Sequence, residues 1–305
     1  MSLPPQINPE SLELDPSAIQ RVDILRSTAA HVVCRVVGGQ GRFILKWFNS
    51  PGSIELQTYA LLERCGVETL PAHKRAGQAI LLEDLESSLA WRLASEADME
   101  QPATGAAVAA WYRQLHRAGR EALGDPQRPA AFLAGWVDLV TQPALEKAGA
   151  VFGFQHQRGW IAALEQLEWL RAAYLSQPQT FNYNDFAAEN LALSKSMPLR
   201  AVVFDYDCFA LGAAYSDWRN VTYSLRGAAK ASFQAAFGPV SEKERLLDEP
   251  LSLLHGLVVA SQRKVTSKWA DPLVGAVIAG ELEKSILLAK RFFEQGGMEA
   301  GEELR

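Results

Sequence analysis

The sequence predicts an α+β fold: a small antiparallel β-sheet lobe with one main helix, followed by a larger, mostly helical lobe. Three observations carry that reading. Runs rich in β-branched and aromatic residues crowd the first 84 positions, helical periodicity dominates from about residue 105 onward, and the strong strand signals of the later part shrink to one hairpin. With 305 residues and 48% hydrophobic content, the chain has enough apolar mass for two cores.

Taken in order, IQRVDILR (Ile19 to Arg26), HVVCRVV (His31 to Val37) and RFILKWF (Arg42 to Phe48) read as a β-meander, with a turn at Gly38-Gly39-Gln40-Gly41. Ser50 followed by Pro51 signals a helix start, and IELQTYALLERC keeps helical spacing until Gly66 stops it. Ile54, Thr58, Leu61, Leu62 and Cys65 are expected to face the sheet. A second strand pair follows at Leu70 to His73 and Gln78 to Leu82, running into Glu83-Asp84, where the boundary between lobes 1–84 and 85–305 is placed. Helices are expected over Gly105 to Arg120 and Trp160 to Ser176, with two or three more over Pro250 to Gln295. Asn190 to Ser194 and Ala201 to Asp205, separated by KSMPLR, form the hairpin; Gly296 to Arg305 is polar enough to fray.

Composition excludes several classes. Thirty Lys and Arg against 35 Asp and Glu give a net charge of -5, and no basic run marks a nucleic-acid or anionic-lipid footprint. Cys34, Cys65 and Cys208 are isolated and odd in number, which disfavours a disulfide framework or a zinc site and suits a reducing cytoplasm. MSLPPQINPE has neither the basic nor the apolar region of a leader, and nowhere do 18 apolar residues run together, so secretion and membrane spanning are not expected.

The chemistry concentrates in FNYNDFAAENLALSKSMPLRAVVFD, Phe181 to Asp205. Asp185 and Asn190 share a loop at the mouth of the hairpin and Asp205 follows its second strand. Asn190 and Asp205 offer hard oxygen ligands suited to Mg²⁺, which leaves Asp185 to orient a hydroxyl and take its proton, an effect worth about 10²- to 10⁴-fold. Phosphoryl transfer also needs positive charge on the phosphates, and Lys46 in FILKWF supplies it. A lysine on a strand between apolar neighbours needs a carboxylate partner; Glu55 is the nearest candidate and Glu63 the fallback. Singly, each residue has a plainer reading as a turn former, helix cap or surface charge. Their joint order favours a site.

These motifs resemble the aminoglycoside phosphotransferase and choline kinase superfamily, small-molecule kinases of the protein-kinase-like bilobal fold, from about Ile19 to Trp218. The family's His-x-Asp with Asn five positions later is matched by Tyr183-Asn184-Asp185 and Asn190, and its Ile-Asp-Phe/Trp-Glu/Asp segment by Phe204-Asp205-Tyr206-Asp207. The resemblance implies ATP, with GTP as the alternative, and Mg²⁺ as cofactors, and a small-molecule hydroxyl, aminoglycoside-, choline- or sugar-like, as acceptor. It implies Lys46 on the α- and β-phosphates, Glu55 paired with it, Asp185 as base, and Asn190 and Asp205 on the metal. ILLEDL, Ile80 to Leu85, looks like the hinge that binds the purine through the backbone, here Glu83 and Leu85. In the glycine-free loop RSTAAH, Ser27 and Thr28 are the expected phosphate contacts.

Tyr183 departs from the family's histidine, and Gly212-Ala213-Ala214 from its Gly-Asp-Pro, while Asp217 matches the later structural aspartate. Only eleven residues separate Asp205 from Asp217, with no Ala-Pro-Glu anchor, so a peptide acceptor is disfavoured. Tyr183 and the glycine-free loop leave one rival, a catalytically silent pseudokinase serving as a nucleotide-binding or interaction module. His31, His73, His156 and His255 lie far apart without metal spacing, and His116, Trp111, Trp160 and Trp169 read as core. The acidic stretch Glu242 to Glu249 and Asp271 read as solvated surface.

Overall fold

A computed structural model describes residue 7 and residues 9–125, 132–263 and 268–296. The expected leader-free N-terminus and the fraying tail lie almost wholly outside these residues. The first part of the chain forms β1 (Ile19–Ser27), β2 (His31–Gly38), β3 (Gly41–Phe48), α1 (Ile54–Arg64), β4 (Ala72–Ala76), β5 (Ala79–Glu83), β6 (Trp91–Leu93) and α2 (Pro102–Gly124). There follow α3 (Gln142–Phe152), α4 (Arg158–Leu175), β7 (Thr180–Asn182), β8 (Leu191–Ser194), β9 (Ala201–Val203) and β10 (Ala210–Gly212). The chain continues through α5 (Ala214–Ser224), α6 (Gly227–Phe237), α7 (Glu242–Ser261), α8 (Asp271–Ile278) and α9 (Glu281–Glu294). Two compact units result, one from residues 1–132, 183–209 and 220–238, the other from residues 133–182, 210–219 and 239–305. Among the described residues no helix is long and apolar enough to cross a membrane.

The first unit is built on a five-stranded antiparallel sheet of order β1-β2-β3-β5-β4. Strand alternation sends Leu45 and Trp47 to one face, where Val36, Ala79 and Leu81 pack with Ile7, Leu12 and Leu14 from the preceding segment. Lys46, between them in sequence, must therefore point to the other face. That face meets α1, whose buried positions Glu55, Thr58, Tyr59 and Leu62 keep the i, i+3, i+4, i+7 spacing of a helical stripe.

The start of this helix differs from expectation. Gly52 sits at φ 79°, a left-handed turn residue, so the helix begins at Ile54, after Ser50 and Pro51 rather than at them. The inward face is rotated accordingly: Ile54 is 41% exposed, Glu55 is buried, and Cys65 follows the helix half-buried. The segment after β5 is clamped by charge. Buried Asp84 accepts from Arg42 Nε at 3.1 Å and from Arg35 Nη2 at 3.3 Å, and both guanidiniums also reach Glu86.

The expected hairpin is present as β8 and β9, with Leu191 opposite Val203, and β6 extends it to a three-stranded sheet. In the same unit α2 crosses α6 so closely that a Cβ at Gly105 would lie 2.0 Å from the Ala229 carbonyl oxygen. The second unit holds α3, α4, α7, α8 and α9 around Leu145, Trp160, Leu167, Leu170, Leu251 and Ile286, with β7 and β10 paired antiparallel. Its α7 begins at Glu242, eight residues before Pro250, because Ser241 caps it by accepting from the Glu244 N–H at 3.3 Å. This overturns the solvated reading of that acidic stretch in part. Asp248 is fully buried and Glu244 nearly so, while Glu242 and Glu249 pair with Arg245 outside.

Asp248 anchors a buried polar chain. Ser216 Oγ donates to its Oδ1 and Arg219 Nε to its Oδ2 at 2.6 Å, and Ser216 in turn meets the Tyr174 hydroxyl, which accepts from Trp136 Nε1 at 2.8 Å. His255 on α7 lies edge-on to Trp136, with ring centroids 5.4 Å apart. Burial, then the Arg219 charge, lowers its pKa to about 4.

Two tests follow from this packing. Gly105→Ala drives a methyl into a backbone carbonyl that cannot rotate away, so it should cost about 1–3 kcal/mol in urea unfolding, with the activity per folded molecule kept. His255 is protonated more readily in the unfolded chain than in the folded one. Its contribution is therefore intact above pH ~6.5 and is lost as pH falls toward 4, by up to about 3 kcal/mol. His255→Phe should flatten the stability profile across that window.

Candidate active site

The local structure explains how distant residues converge. The Phe204 N–H donates to the Asn190 carbonyl at 3.0 Å, continuing the β8–β9 ladder by one step. Asp205 is thereby set beside Asn190. The Asn190 amide donates to Asp185 Oδ2 at 2.9 Å and to the Asp185 carbonyl at 3.1 Å, which ties the loop shut and turns its amide oxygen away from both. Asp185 itself stays exposed. Partial withdrawal from water, and then the neighbouring Asp205 charge, push its carboxyl above the usual carboxylate range, while the Asn190 bond opposes them.

Across from these lies the sheet lysine. Lys46 is 5% exposed, and its Nζ donates to Glu55 Oε2, lies 2.7 Å from Asp205 Oδ1 and 3.8 Å from Asp207 Oδ2, and sits 5.4 Å above the Phe48 ring. Glu55 is 1% exposed; burial pushes its carboxyl upward, Lys46 pulling it down and Asp205 pushing it further up. One carboxylate oxygen from each of Glu55, Asp205 and Asp207 falls within 4.8 Å of the others. Glu63, the fallback partner, instead pairs with Arg75.

Two loops are held against each other by unusual means. Asn184 and Asp205 both adopt left-handed backbone, at φ 64° and 66°, a conformation that costs a non-glycine residue about 1–3 kcal/mol and must be enforced by its surroundings. Tyr183 supplies part of that enforcement: fully buried among Trp111 and Tyr206, it donates its hydroxyl to the Phe204 carbonyl. Asn184 Nδ2 reaches the Cys208 carbonyl at 3.3 Å, and Ser224 holds the Phe186 carbonyl at 2.9 Å.

Thus Glu55, Lys46 and Asp205 are linked by direct contacts, as are Asn190 and Asp185, and the Phe204 N–H bond to the Asn190 carbonyl sets the two groups side by side. Of the remaining sequence candidates, Ser27 is exposed at the end of β1, opposite Val32. The Thr28 hydroxyl is used up in its own turn, donating to the His31 carbonyl and accepting from the Ala30 and His31 N–H groups at 3.2 and 3.0 Å. Glu83 closes β5, its N–H bonded to the Pro71 carbonyl, and Leu85 follows beside clamped Asp84. Sequence reasoning named Asp207 within the Phe204-Asp205-Tyr206-Asp207 segment without giving it a role, and passed over His31. The signal for Asp207 was its position two residues after Asp205, and for His31 its place at the mouth of β2 on the Lys46 face.

A five-stranded antiparallel sheet bearing a lysine paired to a helix glutamate, with an Asp, Asn and Asp around a following hairpin, defines a protein-kinase-like fold. The sequence model of the phosphotransferase enzyme family matches residues 23–247, and the chain belongs to that family; it is a phosphotransferase. Among solved structures, the choline kinase LicA from Streptococcus pneumoniae superposes with a TM-score of 0.56 at 13% identity, covering 90% of this chain and 97% of that one. The AMP-bound complex of a spectinomycin phosphotransferase gives 0.56 at 13% identity over 90% of each chain. An ADP-bound aminoglycoside phosphotransferase gives 0.55 at 13%, covering 87% of this chain and 94% of that one. No curated protein sequence matches significantly.

Tyr183→Phe deletes one hydroxyl and strands the Phe204 carbonyl. It should lower the unfolding free energy by about 1–2 kcal/mol, measured by urea denaturation. An unchanged midpoint would show that this bond does not brace the loops.

Proposed function

We propose that this chain is an ATP-dependent kinase that transfers the γ-phosphoryl group, in line and directly, to a hydroxyl of a small aminoglycoside-, choline- or sugar-like molecule. The observation that carries the reading is the Lys46 ammonium held by Glu55 and touching Asp205, with Asp205 adjoining the bonded pair Asn190 and Asp185. A buried cation so oriented meets phosphate oxygens on one side of a transfer site, and Asp185 meets the acceptor hydroxyl on the other. Its raised pKa brings it nearer to the pH at which a base works best.

The donor set fits Mg²⁺. Among the described residues the Asn190 amide oxygen has no protein partner, and Asp205 adds a carboxylate, both hard oxygens. Magnesium held by these two would neutralise charge on the bridging phosphate oxygens during transfer. The carboxylates around Lys46 also outnumber its single positive charge, an imbalance that a divalent cation relieves. Residues 1–84 then serve as the nucleotide lobe and 85–305 as the helical lobe with the acceptor site. With the Glu83 N–H occupied by Pro71, the purine contact falls to the remaining backbone groups from Glu83 to Leu85. The three free cysteines suit a cytoplasmic enzyme.

The silent-module alternative rests on Tyr183 and the glycine-free loop Arg26 to His31. In the structure Tyr183 does the bracing that loop geometry requires, which favours activity.

Asp185→Ala should lower turnover by about 10²-fold or more while nucleotide affinity stays within a few-fold, read by ATP consumption over a panel of amino alcohols, sugars and aminoglycosides. Asp205→Ala should instead remove the Mg²⁺-dependent part of nucleotide binding in calorimetry. Full turnover by the Asp185 variant, or equal binding loss in both, would refute these roles.

A further inference from the structure

We propose that His31 is the residue of the β1–β2 turn that grips the nucleotide's phosphates, the part first assigned to Ser27 and Thr28; the inference rests on the kinase reading above. His31 is 5% exposed, and among the described residues neither ring nitrogen has a hydrogen-bond partner. Buried imidazoles are seldom left so, because each unmet nitrogen forfeits its hydrogen bond to water without replacement. The turn around it is already satisfied: Thr28 closes it from within, and Asn49 donates to the Ala29 carbonyl at 2.9 Å from outside.

Strand register places the ring. His31 pairs with Phe48 and Val33 with Lys46, so His31 and Lys46 are diagonal neighbours on one face of the sheet. Its Nδ1 lies 3.7 Å from Asp207 Oδ2, the same oxygen that lies 3.8 Å from Lys46 Nζ. The imidazole is thus aimed into the cluster of Glu55, Asp205 and Asp207, just beyond bonding distance. A ligand that suits this pocket brings a cation for the carboxylates and anionic oxygens for Lys46 and His31. A polyphosphate chelating a divalent metal has both. A nucleoside or monophosphate lacks the chelating pair, so the His31 contact selects for the di- and triphosphate.

The test is calorimetric titration of the full-length chain with ATP, ADP, AMP and adenosine in the presence of Mg²⁺. His31→Leu should weaken ATP and ADP by about tenfold or more, as expected for loss of a hydrogen bond to a charged group, and leave AMP and adenosine within about twofold. His31→Gln, which keeps an N–H donor, should recover most of the loss, and Ser27→Ala should change nothing. Thermal melting of each ligand-free variant separates a folding defect from a binding one. Equal weakening of all four ligands, or unaltered ATP affinity in His31→Leu, would overturn the proposal while leaving the kinase reading standing. A native chain that bound no ATP at all would overturn both.

Discussion

A single buried ammonium governs the organisation of this molecule. Lys46 sits on a strand between Leu45 and Trp47, both turned to the opposite face, and its charge could not remain in that setting without carboxylates. Glu55 answers from α1 and Asp205 from the end of the hairpin, so one interaction joins the sheet, the helix and the loop that follows β9. Three segments far apart in sequence are fixed by the need to compensate one charge. The same need leaves the cluster with more negative than positive groups.

Around that cation the chain accepts local strain. Asn184 and Asp205 hold left-handed backbone, and neither is glycine. Tyr183, Asn184 and Ser224 tie the loops down by hydrogen bonds to carbonyls at Phe204, Cys208 and Phe186. Rigid neighbours let the strained residues keep their aim, a common trade at sites where a few side chains must meet in one geometry. Where the family carries histidine, tyrosine does the tethering here by reaching the loop that carries Asp205 with a hydroxyl.

Much of the fold was legible because it rests on short-range patterns. The meander from Ile19 to Phe48, the hairpin and the long helices have the periodicities that burial demands. The short strands β6, β7 and β10 span three residues each, too few to show alternation. The phase of α1 was misjudged because Pro51 looked like a first helical residue, whereas the positive φ of Gly52 delays the helix and exchanges Ile54 for Glu55 on the inner face. Glu244 and Asp248 looked like surface because their partners, the Tyr215 N–H, Ser216 and Arg219, lie about thirty positions away.

The sequence by itself determined which chemistry was available: a strand lysine, a helix glutamate, and an Asp, Asn and Asp spaced around a hairpin, because local periodicity and residue type dictate those placements. Tertiary structure alone decided which of these groups touch, that Asp207 joins the acidic cluster, that Thr28 is spent on its own turn, and that the His31 ring, near Lys46 and Asp207, has no hydrogen bond among the described residues. Distances between side chains on separate elements depend on strand register and helix phase. A shift of one residue in either reverses which side chains face the pocket, and no local pattern records the choice.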